Sequence, residues 1–404
     1  MRDDDQIRDQ SFTVSHRNNS ELVWYFTFGD RRIRRLGMEL VDPNASKESA
    51  MHALTWCVNM GHLDVLQALL KTHFSDCKLS DMGDKCADVL MCAVRDGTSD
   101  ILSELLPYVD DVFLCETKEQ NKTYVTKMLC LAVEKGKKEK VEILAKKNAD
   151  VNAFYHGKPL LHLSLALGNV DIAKVLVEAG ASVNTTDKRG ECAIIPAICS
   201  SVENKEKVVR WLIKNGTDIK HTALSGKKPI HVAAAHSATV VKELADAGCD
   251  VNEPDGVIND TPLHIACSRC CSETVTQLIR CGAKFNIINN HGETPLEKLL
   301  KFAQDHHSSF TKARIDLAKR LIKIGFRVFP HNQNTQSRTK RGRNKLHDLY
   351  LQILKSTDSM MSLQSICRSY VLNRLQGTAV PELIQTLDIP RHLKFYLLFK
   401  GEKI

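Results

Sequence analysis

The chain has 404 residues, of which 43% are hydrophobic and 26% charged, with a net charge of +8. That length supports more than one core, and the small basic excess falls largely in two runs rather than over a whole nucleic-acid-binding face. No run of about 18 apolar residues occurs, which argues against a helical membrane span, and the opening MRDDDQIRDQ is acidic and polar, unlike a secretory leader.

Fourteen cysteines are scattered without framework spacing. They are expected to stay reduced, in a cytoplasmic chain with the nucleus as a second compartment, and to serve as small hydrophobes. The first basic run is Arg31, Arg32, Arg34 and Arg35. Residues 1–46 form an N-terminal extension with an aromatic knot, Trp24-Tyr25-Phe26-Thr27-Phe28. It reads as a lid on the segment that follows, with a partner surface as the competing reading.

Residues 47–330 carry an internal period. Asn148, Gly180, Gly216, Gly248 and Gly282 stand at steps of 32, 36, 32 and 34, and Val-Asn recurs at Asn152, Asn184 and Asn252. The phrase Asp260-Thr261-Pro262-Leu263-His264-Ile265-Ala266 has looser copies at Lys228–Ala233 and Glu293–Leu296. In Pro159-Leu160-Leu161-His162 the proline comes one place early, and Gly61–Leu70 reads as a second-helix phrase. A period near 33 residues with the T-P-L-H-x-A wording resembles ankyrin repeats, in about eight units. Proline suits a first helical turn, threonine before it suits an N-cap, and glycine closes the second helix. Val170, Ile172, Ala173, Val175, Leu176 and Val177 form an apolar face that the next unit must cover. In the last unit, residues 303–310, with His306 and His307, read as a solvated loop inserted before a helix resuming at Ile315.

Residues 331–345 form a polar linker with the second basic run, Arg338, Lys340, Arg341, Arg343 and Lys345. No aromatic residue is interleaved there for base stacking, so a solvated linker is favoured over a nucleic-acid contact. Helix is expected to resume at Leu346, and residues 346–404 form a linking helix and a small helical set. In SLQSICRSYVLNRL, Leu363, Ile366, Cys367, Tyr370, Val371 and Leu375 share one helical stripe. Pro381 and Pro390 open two further helices. So much apolar surface in so short a unit must pack on the repeats or on another protein.

This region resembles the SOCS box. Leu363, Ile366, Cys367, Val371 and Leu375 match its elongin-binding half, and Leu387, Ile389, Pro390 and Leu393 its cullin-facing half. Repeats followed by this box resemble the ankyrin repeat and SOCS box family. The resemblance implies an all-α fold, with an ankyrin solenoid of helix-turn-helix units and short hairpin loops, then a three-helix SOCS box. It implies a non-catalytic adaptor of a cullin-RING ubiquitin ligase, binding elongin B, elongin C and a cullin, cullin five with its RING protein. Asp388 stands where the family's cullin motif has its first proline. The alternative is an ankyrin scaffold or inhibitor that binds a partner without recruiting a ligase.

No phosphate-cradling glycine loop, H-E-x-x-H, G-x-S-x-G or kinase signature is present, so no catalytic residue and no cofactor is expected. His264, Cys267, Cys270 and Cys271 make the nearest approach to a metal cluster, but they lack the two spaced ligand pairs of zinc sites, and no metal is expected. An unknown protein substrate is expected at the hairpin tips, near Lys188, Arg189, Asp255, Asn259, Asn290 and His291.

Overall fold

The computed structural model describes residues 47–75, 78–114, 117–119, 122–201, 203–301, 309–326, 348–349 and 351–353. The aromatic knot, His306, His307, the linker and the expected three-helix set lie outside them. Of the linking helix expected from Leu346, residues 348–349 and 351–353 are helical. The described residues hold seventeen α-helices and almost no strand. None of these helices is long and apolar enough to cross a membrane. Two compact units interleave in sequence, one within 1–156 plus 169–181, the other within 157–168 plus 182–404.

The first unit contains α1 (Lys47–Met60), α2 (Leu63–His73), α3 (Asp84–Arg95), α4 (Ser99–Leu105), α5 (Asp111–Leu114), α6 (Tyr124–Glu134), α7 (Lys138–Lys146) and α9 (Val170–Glu178). Helices α1, α3 and α6 stack in one layer, and α2, α4, α7 and α9 in the other. Each helix touches its neighbours in the stack, as a repeat architecture requires. Leu54, Leu66, Leu90, Ile101, Leu102, Leu129, Val141 and Leu144 close the core between the layers. A short antiparallel ribbon, β1 (Thr117–Glu119) with β2 (Lys122–Thr123), leads into α6. There Thr123 caps the helix, its Oγ1 accepting from the Thr126 N–H at 3.2 Å.

One residue of this core breaks the usual rule for charge. Lys140 is buried, yet its Nζ donates to the carbonyls of Ala93, Val94 and Gly97 at 2.8, 2.7 and 2.7 Å. Ala93 O and Val94 O are orphans in the last turn of α3, which a helix cannot satisfy itself, and Gly97 O lies just beyond it. A cation at the negative pole of that helix also complements its dipole. Burial pushes the ammonium below its ordinary value, and the three short bonds hold it in place.

The second unit contains α8 (Leu160–Ala166), α10 (Ile194–Cys199), α11 (Lys205–Lys214), α12 (Pro229–His236), α13 (Ala238–Asp246), α14 (Pro262–Arg269), α15 (Ser272–Arg280), α16 (Pro295–Lys301) and α17 (Ser309–Ile324). Helices α8, α10, α12, α14 and α16 form one layer, and α11, α13 and α15 the other. Pro229, Pro262 and Pro295 each occupy the first helical position, where no N–H is missed. Pro159 instead sits at the N-cap of α8, with extended ψ of 147°, and Leu160 takes the first helical position. Gly180, Gly216, Gly248 and Gly282 follow second helices with φ from 82° to 96°, and Asn148 substitutes at 58°. A side chain is strained in that region, which glycine enters freely.

Helix α17 starts at Ser309, six residues before the expected restart at Ile315. Its first turns, Ser309–Arg314, carry few apolar residues, so periodicity does not show them. Arg314 holds this end, donating to the carbonyls of Ser268 at 2.9 Å and Leu299 at 3.4 Å.

Candidate interaction site: the hairpin tips of the second unit

Between a second helix and the next first helix the chain runs out and back as a hairpin. Three side chains fold the tips. Asp187 Oδ1 accepts from the N–H groups of Arg189 and Glu191, each at 2.9 Å. Asp255 Oδ1 accepts from Val257, Ile258 and Asp260 at 3.3, 3.0 and 3.1 Å. Asn289 Oδ1 accepts from His291 and Glu293 at 3.0 and 2.9 Å. A short side-chain acceptor facing its own downstream N–H groups is what makes Asp and Asn turn residues.

The tips are joined edge to edge. Leu224 N–H donates to Arg189 O at 3.0 Å, Gly256 N–H to Gly226 O at 2.8 Å and Asn290 N–H to Ile258 O at 2.8 Å. Asn259 Nδ2 donates to Asn290 Oδ1 at 2.8 Å. A Cβ on Gly226 would lie 3.0 Å from the Gly256 backbone, and Gly226 has φ of 71°, so the close join favours glycine there.

A second ladder lies below the tips. The Asn184 amide donates to Gly216 O at 3.0 Å, Asn252 to Gly282 O at 3.3 Å and Asn286 to Gly325 O at 3.3 Å. Lys284 N–H donates back to Asn252 Oδ1 at 2.6 Å. The Val-Asn phrase thus ties each repeat to the next. Asn286 completes the ladder without the phrase, because Phe285 replaces valine and stacks on Phe326, centroids 4.9 Å apart.

The T-P-L-H histidine fastens first helices to hairpins. Thr261 N–H donates to His264 Nδ1 at 3.1 Å, while His264 Nε2 meets Glu293 O at 3.0 Å. Since Nδ1 accepts, the proton sits on Nε2 and the ring is neutral. His231 repeats this, with Lys228 N–H at 3.1 Å and Glu253 O at 2.8 Å. Burial pushes both imidazoles below their ordinary value. With both nitrogens engaged, His264 has no lone pair for a metal, and burial pushes the Cys267 thiol up. No metal-holding cluster occurs among the described residues.

The predicted contact residues divide. Lys188, Arg189, Asn259, Asn290 and His291 are exposed on the tips. Asp255 is a correction: it is buried at 3% exposure and its carboxylate folds the hairpin from within. An Asp in a polar loop reads as surface charge, but backbone donors have drawn this one inward. Sequence reasoning also missed Leu224, Val257 and Ile288, exposed at 81%, 63% and 54%. They stand at different places in their hairpins, Leu224 one residue after Ala223, Val257 two after Asp255 and Ile288 one before Asn289, so no periodic signal marks them.

Family models place this geometry. The model for ankyrin repeats, three copies, matches residues 90–187, and a single ankyrin repeat matches 259–290. The SOCS box model matches residues 359–398. The chain combines ankyrin repeats with a SOCS box, the composition of the ankyrin repeat and SOCS box family. It is similar to mouse "Ankyrin repeat and SOCS box protein 16", 31% identical over 225 residues, covering 46% of this chain and 49% of the relative. The human protein of that name is 30% identical over 159 residues, covering 37% and 34%. A fowlpox virus "Putative ankyrin repeat protein FPV031" is 31% identical over 129 residues, covering 31% of this chain and 35% of the relative. The chain therefore spans half or less of the length of these relatives.

The SOCS box match contains Leu363, Ile366, Cys367, Val371, Leu375, Leu387, Ile389, Pro390 and Leu393. All nine lie outside the described residues. The ankyrin matches take in Asp255's neighbour Asn259 and reach Asn290, and the first stops just short of Lys188 and Arg189.

Proposed function

We propose that the chain is a non-catalytic substrate-recognition adaptor of an elongin B/C–cullin–RING ubiquitin ligase. The observation that carries this reading is the presence of ankyrin repeats and a SOCS box in one chain. A scaffold that only binds a partner has no use for the box. In the proposal, Leu363, Ile366, Cys367, Val371 and Leu375 meet elongin C, with elongin B beside it. Leu387, Ile389, Pro390 and Leu393 face a cullin, cullin five with its RING protein, and Asp388 is the departure on that side. The repeats hold a protein client through the tips, with Lys188, Arg189, Asn259, Asn290 and His291 among its contacts. The chain supplies proximity, which raises the effective concentration of client lysines near the ligase.

Full burial of Leu363 contributes about 1.5–3 kcal/mol, so its loss weakens elongin binding roughly ten- to a hundredfold. The test is affinity purification of the full chain beside a Leu363→Pro, Cys367→Phe variant, read by mass spectrometry. The natural chain is expected to recover elongins B and C; the variant loses them and retains more of any client. Recovery of elongins by both rejects the box residues. Recovery by neither, with a partner bound to both, favours the scaffold.

A further inference from the structure

Three histidines of the second unit stand at the same place, three residues after the cap of a first helix: His162 in α8, His231 in α12 and His264 in α14. All three are buried, at 2%, 1% and 0% exposure, so burial does not set them apart. In each, Nε2 meets a carbonyl of the next hairpin: Thr185 O at 2.9 Å, Glu253 O at 2.8 Å and Glu293 O at 3.0 Å. The other nitrogen divides them. Nδ1 of His231 and of His264 accepts the cap N–H, from Lys228 and Thr261 at 3.1 Å each. The cap of α8 is Pro159, which has no N–H to give. No protein group among the described residues donates to Nδ1 of His162.

The difference decides where a proton from solvent goes. To charge His231 or His264, the proton must take the lone pair that holds the cap. That breaks a buried hydrogen bond and sets two N–H groups against each other. At His162 the same lone pair holds nothing, and the ring keeps its donation to Thr185 O when charged, a bond that charge strengthens. Burial pushes all three imidazoles down. Two charges act on His162: Asp187, on the hairpin that follows Thr185, favours the imidazolium, and Lys158, just before α8, opposes it. Helix α10, packed against α8, has no charged side chain. Near the other two rings, Glu253, Asp260 and Glu293 are already paired with Lys228, Lys298 and Lys301. Asp255 is turned to three N–H groups.

We propose that His162 is an acid-sensing switch in the repeats: it takes a proton on Nδ1 in the folded chain, ahead of His231 and His264, without releasing Thr185 O. Its charge then appears beside Asp187, whose Oδ1 folds the tip that carries Lys188 and Arg189. The switch needs no partner and is independent of the ligase reading.

The test is a pH titration of the full chain with isotope-labelled histidine, read by NMR from the imidazole signals. His162→Gln assigns the signal, and circular dichroism follows the fold. The midpoint of His162 is expected about one pH unit above those of His231 and His264, a roughly tenfold difference in proton affinity for one hydrogen bond. Pro159→Thr supplies the missing donor. Its backbone suits the change, since Pro159 has φ of −57° and ψ of 147° and the cap Thr261 has −75° and 161°. The variant should lower the His162 midpoint by about one pH unit and leave the other two in place. Asp187→Asn keeps the Oδ1 that folds the tip but removes the charge, and should lower the midpoint by less. A His162 ring that stays neutral until the chain unfolds overturns the proposal. So does a midpoint at or below that of His264, or one that Pro159→Thr leaves unmoved.

Discussion

The two units close the ends of their first helices by different chemistry. In the first, the carbonyl end of α3 is closed by one ammonium, Lys140, reaching over from α7. In the second, the starts of α12 and α14 are closed by neutral imidazoles, and α16 by a reciprocal pair. There Thr294 N–H donates to Glu297 Oε2 at 2.7 Å and Glu297 N–H to Thr294 Oγ1 at 3.2 Å. The neutral solution recurs in two successive repeats, at His231 and His264, and carries little desolvation cost. The charged one occurs once and depends on all three of its acceptors. A periodic device is written into the sequence as a phrase, whereas a solitary one leaves no phrase to read.

The largest expected effect is at the charged site. Lys140→Met keeps the aliphatic stem but leaves three buried carbonyls without a donor. It should destabilise the chain by about 3 kcal/mol in urea unfolding, with hydrogen exchange rising first at the end of α3. A loss below about 1 kcal/mol would mean water replaces the ammonium and the contrast between the units is false.

His264→Leu comes next, at about 2 kcal/mol, since it removes an acceptor from Thr261 N–H and a donor from Glu293 O. The same site gives a pH signature. Burial holds the folded imidazoles of His231 and His264 below their ordinary value of 6.5. The unfolded chain therefore binds more protons below that pH, and stability rises with pH there. The melting temperature should hold steady above the ordinary histidine value and fall as pH drops below it, with a shallower fall in His264→Leu. A melting temperature that rises on acidification would contradict the neutral tautomer.

The smallest effect is at the ladder below the tips. Asn252→Ala gives up the bond to Gly282 O and the acceptor for Lys284 N–H. Water reaches both groups, so the cost is about 1 kcal/mol, seen as local exchange near Lys284 rather than as global unfolding.

Much of the second unit was legible because its devices repeat. The T-P-L-H phrase gave the helix starts at Pro262 and Pro229, and the glycine steps gave the second-helix ends. The pairing of Asn with the following repeat's glycine carbonyl was not legible, since the partners lie about one period apart and only the fold brings them together. Lys140 was not singled out by its sequence, because nothing in KEKVEILAK shows that its ammonium points inward. Asp255 read as an exposed acid for the opposite reason. Leu224, Val257 and Ile288 drew no reading from the sequence, since each stands at a different place in its hairpin. The residues proposed to face elongin C and a cullin read as two ordered half-motifs, and the SOCS box match covers them.

The most direct measurement is native mass spectrometry of the full chain co-expressed with elongins B and C. The account predicts a complex holding one copy of each, lost in the Leu363→Pro, Cys367→Phe variant and kept in Asn252→Ala. A folded natural chain that emerges free of elongins would contradict it.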